Sequence, residues 1–280
     1  MKTETATMSG SKGAVLHTVR WSPDDPAATK GQIVLAHGYG EHSGRYVPVA
    51  ERFTAAGYAV AALDHRGHGR SSGVRKGEVD SFDALVDDLQ HYVDSVAGDL
   101  PLFMYGHSMG GLATVRLAER GDERFAGLIL TGPALQTAGS IPAPLVAMAN
   151  VLGLIAPWLP TIALDGNAIS RDEQVRADYD ADPLNYRGKL TARTGREMNI
   201  AMTKALAEAA SIHAPLLILH GGADALAAPG GSARLAAAVS SSDVTHKVYA
   251  GAFHELHHEP EKEEVLALIV DWLNDHLAAR

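Results

Sequence analysis

The chain of 280 residues contains no cysteine, which excludes disulfide bonds and thiolate metal ligands. It is also short of positive charge: 24 lysines and arginines stand against 33 aspartates and glutamates, giving a formal net charge of -9. No run of lysines or arginines occurs, and a chain this acidic has no general attraction to a phosphate backbone. We therefore expect no nucleic-acid partner.

Long apolar runs are missing as well. The one segment that raises a membrane question, residues 145–159, is interrupted by Asn150 and carries Pro157 near its end. A membrane-spanning helix needs about 20 apolar residues, so we expect a buried or interfacial helix here. The polar stretch 1–12 lacks the apolar core of roughly 7–15 residues that a signal peptide requires. The expected location is cytoplasmic.

Short apolar runs, in contrast, recur towards both ends of the chain, at 33–36, 58–63, 102–105, 128–130, 216–219 and 244–249. Most are continuous rather than alternating, which is typical of strands buried on both faces of a largely parallel sheet. Amphipathic helical patterns occur at 82–96, 112–120 and 260–277, the last with Pro260 in its first turn. Strands that alternate with helices predict an α/β fold. The segments 3–9 and 14–21 flank a glycine-containing turn and predict an antiparallel hairpin at the sheet edge.

The alternation stops between residues 136 and 210. Prolines cluster in the first part of this stretch, helical patterns dominate, and no strand candidate occurs. We interpret it as a helical insertion into one sheet-based core. The predicted organisation is a first core part (1–135), a helical cap (136–210) and a second core part (211–280).

A candidate nucleophile follows the strand predicted at 102–105. Gly106-His107-Ser108-Met109-Gly110 fits the pattern G-x-S-x-G and precedes a predicted helix. Such a serine occupies a sharp strand-to-helix turn, which needs small neighbouring residues. The turn would aim the backbone N–H of Met109 at an oxyanion near the helix N-terminus. The pattern therefore predicts that Ser108 is the nucleophile.

A serine nucleophile needs a histidine that accepts its proton and an acid that holds this histidine. Asp224 and His254 each lie shortly after a predicted strand downstream of Ser108, in the chain order Ser–Asp–His that such motifs show. All three residues would meet at the carboxyl edge of the sheet. His257 and His258 are the nearest competitors for the base, whereas His213 and His220 are expected to be structural.

A second backbone donor for the oxyanion is expected after the strand at 33–36. The segment Ala36-His37-Gly38-Tyr39-Gly40 occupies that position, and we predict the backbone N–H of Tyr39 as the donor. The glycines alone are also compatible with an ordinary tight turn.

A competing motif overlaps the predicted base. Residues 254–258 satisfy H-E-x-x-H, which in zinc peptidases places two histidines one turn apart on a helix. A zinc metallopeptidase using His254 and His258 is thus a remote alternative. Gly251 and Pro260 flank the motif and make it a poor helix, so we expect no metal.

Five segments together resemble the monoacylglycerol lipase family of the α/β-hydrolase fold. They are residues 37–46 (HGYGEHSGRY), 64–71 (DHRGHGRS), 106–111 (GHSMGG), 179–184 (YDADPL) and 251–257 (GAFHELH). The first and fourth of these are the more specific, because the elbow and triad strings occur in many hydrolases. The resemblance extends from about residue 14 to the end of the chain.

The resemblance implies cofactor-free hydrolysis of monoacylglycerols, which are lipid esters, under a helical cap able to rest peripherally on a membrane or micelle. It implies glycerol-side roles for Glu41, Arg45, Tyr179 and His257; a polar network that braces the oxyanion loop is the other reading of these residues. Apolar cap residues would line or cover the acyl pocket, or else only pack the cap on the core: Leu145, Val151, Leu154, Ile155 and Trp158. A carboxylesterase or lysophospholipase of the same fold is the main alternative function. The bulky Tyr39, at a position where the family commonly has smaller residues, leaves the acyl preference open.

Overall fold

The computed structural model describes residues 1–139 and 150–278, whose strands form one eight-stranded sheet. These strands are β1 (Lys2–Ser9), β2 (Val15–Ser22), β3 (Gly31–Ala36), β4 (Tyr58–Leu63), β5 (Leu102–His107), β6 (Phe125–Thr131), β7 (Leu216–Gly221) and β8 (Val244–Tyr249). Their spatial order is β1-β2-β4-β3-β5-β6-β7-β8. The pairs β1–β2 and β2–β4 are antiparallel, and the other neighbours are parallel. The predicted mostly parallel α/β sheet is confirmed, and an antiparallel hairpin lies at its edge.

Helices cover both faces of the sheet. In the described residues they are α1 (Val47–Ala55), α2 (Phe82–Val96), α3 (Met109–Ala118), α4 (Glu173–Ala181), α5 (Ala192–Glu208), α6 (Pro229–Ala238) and α7 (Lys262–Ala278), and residues 150–155 are helical too. Apolar residues of α2, α3, α5 and α6 share one core with the sheet, and those of α1 and α7 share the other. Helix α2 has its predicted bounds, whereas α7 begins at Lys262 because residues 260 and 261 form a turn. The sequence pattern did not predict α6, whose residues are mostly alanine and glycine.

A long stretch separates β6 from β7, although the two strands are neighbours with Leu128 opposite Leu216. Its described residues contain α4, α5 and an isolated bridge between Pro160 and Thr191, but no strand of the sheet. The cap boundaries at 136 and 210 stay a prediction. Of the helices described, none combines the length and apolar character needed to cross a bilayer.

The parallel strands bring four loops to one edge of the sheet. The segments that follow β3, β5, β7 and β8 carry Tyr39, Ser108, Asp224 and His254, respectively. Because parallel strands end on the same side, residues distant in the sequence converge there.

Candidate active site

Ser108 lies between β5 and α3 in a backbone conformation that L-amino acids rarely adopt (φ 51°, ψ −117°). Its neighbours must be glycine: a Cβ at Gly110 would lie 2.1 Å from the carbonyl oxygen of Ala36, and one at Gly106 would lie 2.5 Å from Thr114 Oγ1. Strain of this kind costs about 1–3 kcal/mol and persists only where the surrounding structure imposes it. The structure thus places Ser108 on the strained strand-to-helix turn that the G-x-S-x-G motif predicts.

Asp224 and His254 form a buried pair. Oδ2 of Asp224 lies 2.6 Å from Nδ1 of His254, and Oδ1 accepts the backbone N–H groups of Leu226 and Ala227. Burial alone would raise the pKa of Asp224, but the charge of His254 and the hydrogen bonds to Asp224 keep it well below its usual range. Burial would lower the pKa of His254, but Asp224 outweighs this effect and raises it. Asp224 therefore stays ionised and holds the proton of His254 on Nδ1, which leaves Nε2 free to act as a base.

A second imidazole contacts the same carboxylate. Nε2 of His220 lies 3.1 Å from Asp224 Oδ2, and its Nδ1 lies 2.7 Å from the hydroxyl of Ser232. His220 is the last residue but one of β7 and is fully buried. The contact agrees with the structural role expected from the sequence, but the sequence did not reveal that His220 supports Asp224.

The two predicted oxyanion donors, the backbone N–H groups of Tyr39 and Met109, belong to residues near Ser108. Met109 directly follows Ser108 as the first residue of α3, and Tyr39 lines the same cavity as Ser108. Among the described residues, neither the N–H of Tyr39 nor that of Met109 donates a hydrogen bond to a backbone oxygen. The N–H of Gly38, in contrast, donates to Glu41 Oε1 at 2.6 Å. Free donors of this kind can stabilise negative charge on a substrate oxygen.

A buried polar network braces the loop that carries these donors. Besides the N–H of Gly38, Glu41 accepts hydrogen bonds from the hydroxyl of Tyr46 (2.6 Å) and from Arg45 Nη1 (2.8 Å). Arg45 also donates to both carboxylate oxygens of Glu255, at 2.6 and 2.7 Å. Burial opposes the ionisation of Glu255, but the charge of Arg45 keeps its pKa well below the usual range. The network joins the loop after β3 to the residue that follows His254.

A cavity of about 570 Å³ opens on Ser108 and His254. Two of the residues expected on the glycerol side, Glu41 and Tyr179, line it, whereas Arg45 and His257 are not in its wall. The ring of His257 is buried and stacks on Tyr46 with 4.8 Å between the ring centres. The structure therefore brings Glu41 and Tyr179 to the cavity and places Arg45 and His257 behind them.

The residues expected at the acyl pocket lie elsewhere. Val151, Leu154, Ile155 and Trp158 are 53–69% exposed on the outside of the insertion, and none of them lines the cavity. Leu145 lies outside the described residues. The apolar wall is formed by other residues of the insertion: Ile162, Leu164, Ile169, Leu190, Met198 and Met202. An apolar stripe in the sequence shows that one face of a helix is apolar, but not whether that face lies against a cavity or on the outer surface.

The geometry does not support the zinc-peptidase alternative. The segment 254–258 contains a bend at His254 and a short 3-10 helix over Leu256–His258, so the two histidines do not share an α-helix. His254 is held by Asp224 instead. Ligand atoms of Glu255, His257 and His258 do lie within 4.8 Å of one another, but Glu255 already binds the cationic Arg45.

Comparison with known proteins identifies the family of this chain. The family described as "Hydrolase_4: Serine aminopeptidase, S33" matches residues 27–261. The chain is 44% identical to the monoacylglycerol lipase of Mycolicibacterium smegmatis, with 92% of each chain covered. It is 36% identical to the monoglyceride lipase of Homo sapiens, with 88% of this chain and 82% of the relative covered.

Solved structures agree with these sequence matches. The crystal structure of Paleococcus ferrophilus monoacylglycerol lipase superposes with a TM-score of 0.82 at 33% identity, covering 99% of this chain and 100% of the other. A soluble variant of the monoglyceride lipase from Saccharomyces cerevisiae, in complex with a substrate analog, superposes with a TM-score of 0.87 at 25% identity, covering 98% and 95%.

Proposed function

Because the chain belongs to the serine aminopeptidase S33 family and, within it, to the monoacylglycerol lipases of the α/β-hydrolase fold, we propose that it hydrolyses monoacylglycerols to free fatty acid and glycerol. One observation carries this proposal. Ser108 and His254 face a largely apolar cavity of about 570 Å³, and Asp224 lies 2.6 Å behind His254. The proposed reaction needs no cofactor.

The first half of the proposed reaction forms an acyl-enzyme. His254 Nε2 takes the hydroxyl proton of Ser108 while Oγ attacks the ester carbonyl carbon. The N–H groups of Tyr39 and Met109 donate to the oxyanion that develops on the carbonyl oxygen. His254, now protonated and held by ionised Asp224, gives its proton to the glycerol oxygen as the carbon–oxygen bond breaks.

The second half releases the fatty acid. Water takes the place of glycerol, His254 removes one of its protons, and the resulting hydroxide attacks the acyl carbonyl. Collapse of the tetrahedral intermediate returns the proton to Ser108 Oγ. The same two N–H donors serve both halves, because the carbonyl oxygen keeps its position.

The polar end of the cavity is the proposed glycerol side. Glu41 and Tyr179 line this region, and their oxygen atoms suit the hydroxyl groups of a glycerol headgroup. Arg45 and His257 support this side from behind the wall, Arg45 through its hydrogen bond to Glu41. The apolar residues of the insertion face the acyl chain.

We also propose that the outer apolar surface of the insertion contacts the lipid aggregate from which the substrate comes. Leu154, Ile155 and Trp158, which lie within five consecutive residues, are 64–69% exposed, and large exposed apolar side chains of this kind are typical of a docking surface. Ile162 is 61% exposed and also lines the cavity, so exposed apolar surface of the insertion occurs at the cavity wall as well. Substrate can then pass from lipid to Ser108 without crossing bulk water.

The substrate class is tested by a matched series of esters with wild-type protein and Ser108→Ala. The series contains monoacylglycerols of several chain lengths, their di- and triacylglycerols, a lysophospholipid and a short p-nitrophenyl ester. A preference for monoacylglycerols that disappears in the variant supports the proposal. Serine-dependent activity confined to the short ester or to the lysophospholipid would contradict the proposed substrate class but still support Ser108 as the nucleophile.

The lipid contact is tested with phosphatidylcholine vesicles and the double variant Leu154→Ser/Ile155→Ser. We expect wild-type protein to co-sediment with the vesicles and the variant to stay in solution. The control is Leu100→Ser/Val248→Ser, which removes two side chains of comparable size, 41% and 45% exposed, from other surfaces. Equal binding by the two variants would exclude the proposed patch.

A further inference from the structure

The loop that carries His254 is hydrogen-bonded to the helical insertion directly behind the cavity wall. The N–H of Glu255 donates to the carbonyl oxygen of Ile169 at 2.8 Å, and the hydroxyl of Ser170 donates to the carbonyl oxygen of His258 at 3.0 Å. Ile169 lines the cavity, and Ser170 is fully buried. The insertion therefore touches the substrate space and the loop of the proposed base at adjacent residues.

Glu259 is the central group of this contact. One carboxylate oxygen accepts the backbone N–H of Arg171 at 2.6 Å, and the other accepts Arg171 Nε at 2.5 Å. The second oxygen also accepts the backbone N–H of Phe253 at 3.1 Å. Phe253 immediately precedes His254, and Glu259 is 1% exposed. A single buried carboxylate thus holds both the insertion and the peptide next to the proposed base.

The core holds the same loop from the opposite side. The N–H of Ala223, next to Asp224, donates to the carbonyl oxygen of Ala252 at 2.9 Å. A Cβ at Gly221 would lie 1.9 Å from the carbonyl oxygen of Phe253, so the end of β7 packs tightly against the loop. The peptides before His254 are therefore fixed between β7 and Glu259.

We propose that Glu259 is a positioning residue for His254, and that it makes the geometry of this base depend on the placement of the insertion. The inference rests on the proposed role of His254, but not on the identity of the ester. Loss of the hydrogen bond to the N–H of Phe253 would let the His254 loop move relative to Ser108. Displacement of a reacting group by about 1 Å can reduce a rate by about a hundred-fold, whereas ground-state binding of substrate changes little.

The test compares Glu259→Gln with Glu261→Gln, using a short p-nitrophenyl ester that does not depend on acyl preference. Glu261 pairs with the same Arg171, so its variant removes the same charge from the neighbourhood without touching the His254 loop. For Glu259→Gln we expect kcat to fall about ten- to a hundred-fold with KM within about two-fold of wild type. We also expect the acidic limb of kcat/KM to move to lower pH, because a loosened contact with Asp224 no longer raises the pKa of His254 as strongly. Glu261→Gln should leave both quantities unchanged.

A folded Glu259→Gln protein with wild-type kcat and an unchanged acidic limb would overturn the proposal. Equal losses in the two variants would overturn it too, because they would point to a charge effect. If Glu259→Gln does not fold, Ser170→Ala decides: it removes the donor to His258 without any change in charge, and we expect kcat to fall a few-fold at a temperature where the variant is still folded. An unchanged kcat in this variant would overturn the proposal. A further control, Ser108→Ala, reports separately whether the hydrolysis depends on the proposed nucleophile.

Discussion

The guanidinium of Arg45 forms two hydrogen bonds of 2.6 and 2.7 Å with the carboxylate of Glu255, although 210 residues separate them in the sequence. Both side chains are at least nine-tenths buried. Arg45 also binds Glu41, which accepts the N–H of Gly38. The loop with the proposed oxyanion donor and the loop with the proposed base are therefore held by one cation.

Replacement of that cation should destabilise the protein strongly. Arg45→Met leaves two buried carboxylates without their partner, and removal of one member of a buried ion pair typically costs about 3–5 kcal/mol. We expect this loss in urea unfolding followed by circular dichroism. Arg124→Met is the control, because Arg124 pairs with Asp122 and Asp94 at a site where its side chain is 46% exposed. An exposed pair contributes about 0–1 kcal/mol, so comparable losses in the two variants would show that the Arg45 network adds little.

The strained backbone of Ser108 predicts a difference in stability between two variants of the proposed nucleophile. Glycine adopts a positive φ without the steric penalty of a Cβ, so Ser108→Gly should be more stable than Ser108→Ala by about 1 kcal/mol. Lys12 has a similar φ of 53° in a surface turn, and Lys12→Gly against Lys12→Ala provides a matched pair outside the site. Denaturant midpoints of all four proteins measure the effect. An alanine variant at least as stable as the glycine variant would show that Ser108 is unstrained.

The pKa of His254 predicts how activity depends on pH. Neutral His254 is the proposed base, so kcat/KM should rise with pH through a pKa above the usual value for histidine. Asp224→Asn removes the charge that raises this pKa, and the acidic limb should move to lower pH while kcat falls on the order of 10⁴-fold. The control is Asp243→Asn, which breaks a partly exposed pair with His276 far from the cavity. If the acidic limb does not move in Asp224→Asn, the ionisation of His254 is not its cause.

The same two groups affect stability in opposite pH ranges. His254, with a raised pKa, stabilises the fold fully below its ordinary pKa of about 6.5, and this contribution is lost as pH rises through the raised value. Asp224, with a lowered pKa, stabilises the fold above its ordinary pKa of about 3.9, and this contribution is lost as pH falls through the lowered value.

Glu119, which directly follows α3, makes the stability of the fold depend on pH. Burial raises its pKa to about 8, against the pull of Arg116, so the folded chain binds this proton more tightly than the unfolded chain does. Its contribution to stability is present below the ordinary pKa of 4.5 and is lost as pH rises through about 8. We therefore expect the stability of Glu119→Gln minus that of wild type to be larger at pH 9 than at pH 5. Urea unfolding at both pH values measures this difference, with the exposed Glu123→Gln as control. The same difference in the two variants would exclude Glu119 as its source.

The sequence predicted the mostly parallel sheet and the family, and both are confirmed. The short continuous apolar runs mark buried strands, and the glycines around Ser108 mark a turn that only small residues allow. The assignments of Ser108, Asp224 and His254 stay predictions, which the 2.6 Å contact of Asp224 with His254 supports. Local patterns carry this information because each motif lies at the end of its own strand.

The remaining features of the site depend on contacts between distant segments. Nothing near Glu255 in the sequence indicates Arg45 as its partner, and nothing near Glu259 indicates Arg171. The sequence likewise did not show that Leu154 and Ile155 face outward, because an apolar helical face can pack against a cavity or lie on the outer surface. Pairing of this kind follows from the tertiary arrangement rather than from periodicity.

The positions of the proposed site residues along the chain also have a consequence for synthesis of the protein. Tyr39, Ser108 and Met109 belong to the first half of the chain, whereas Asp224 and His254 follow β7 and β8, which pair side by side at the far edge of the sheet. A ribosome that has released the chain only as far as α5 has exposed the proposed nucleophile without the proposed base or acid. The site is complete only after β7 has paired with β6 and β8 with β7. Pairing of strands far apart in the sequence is a slow step in folding. With these proposed roles, we expect the nascent chain to hydrolyse no ester until β7 and β8 have joined the sheet.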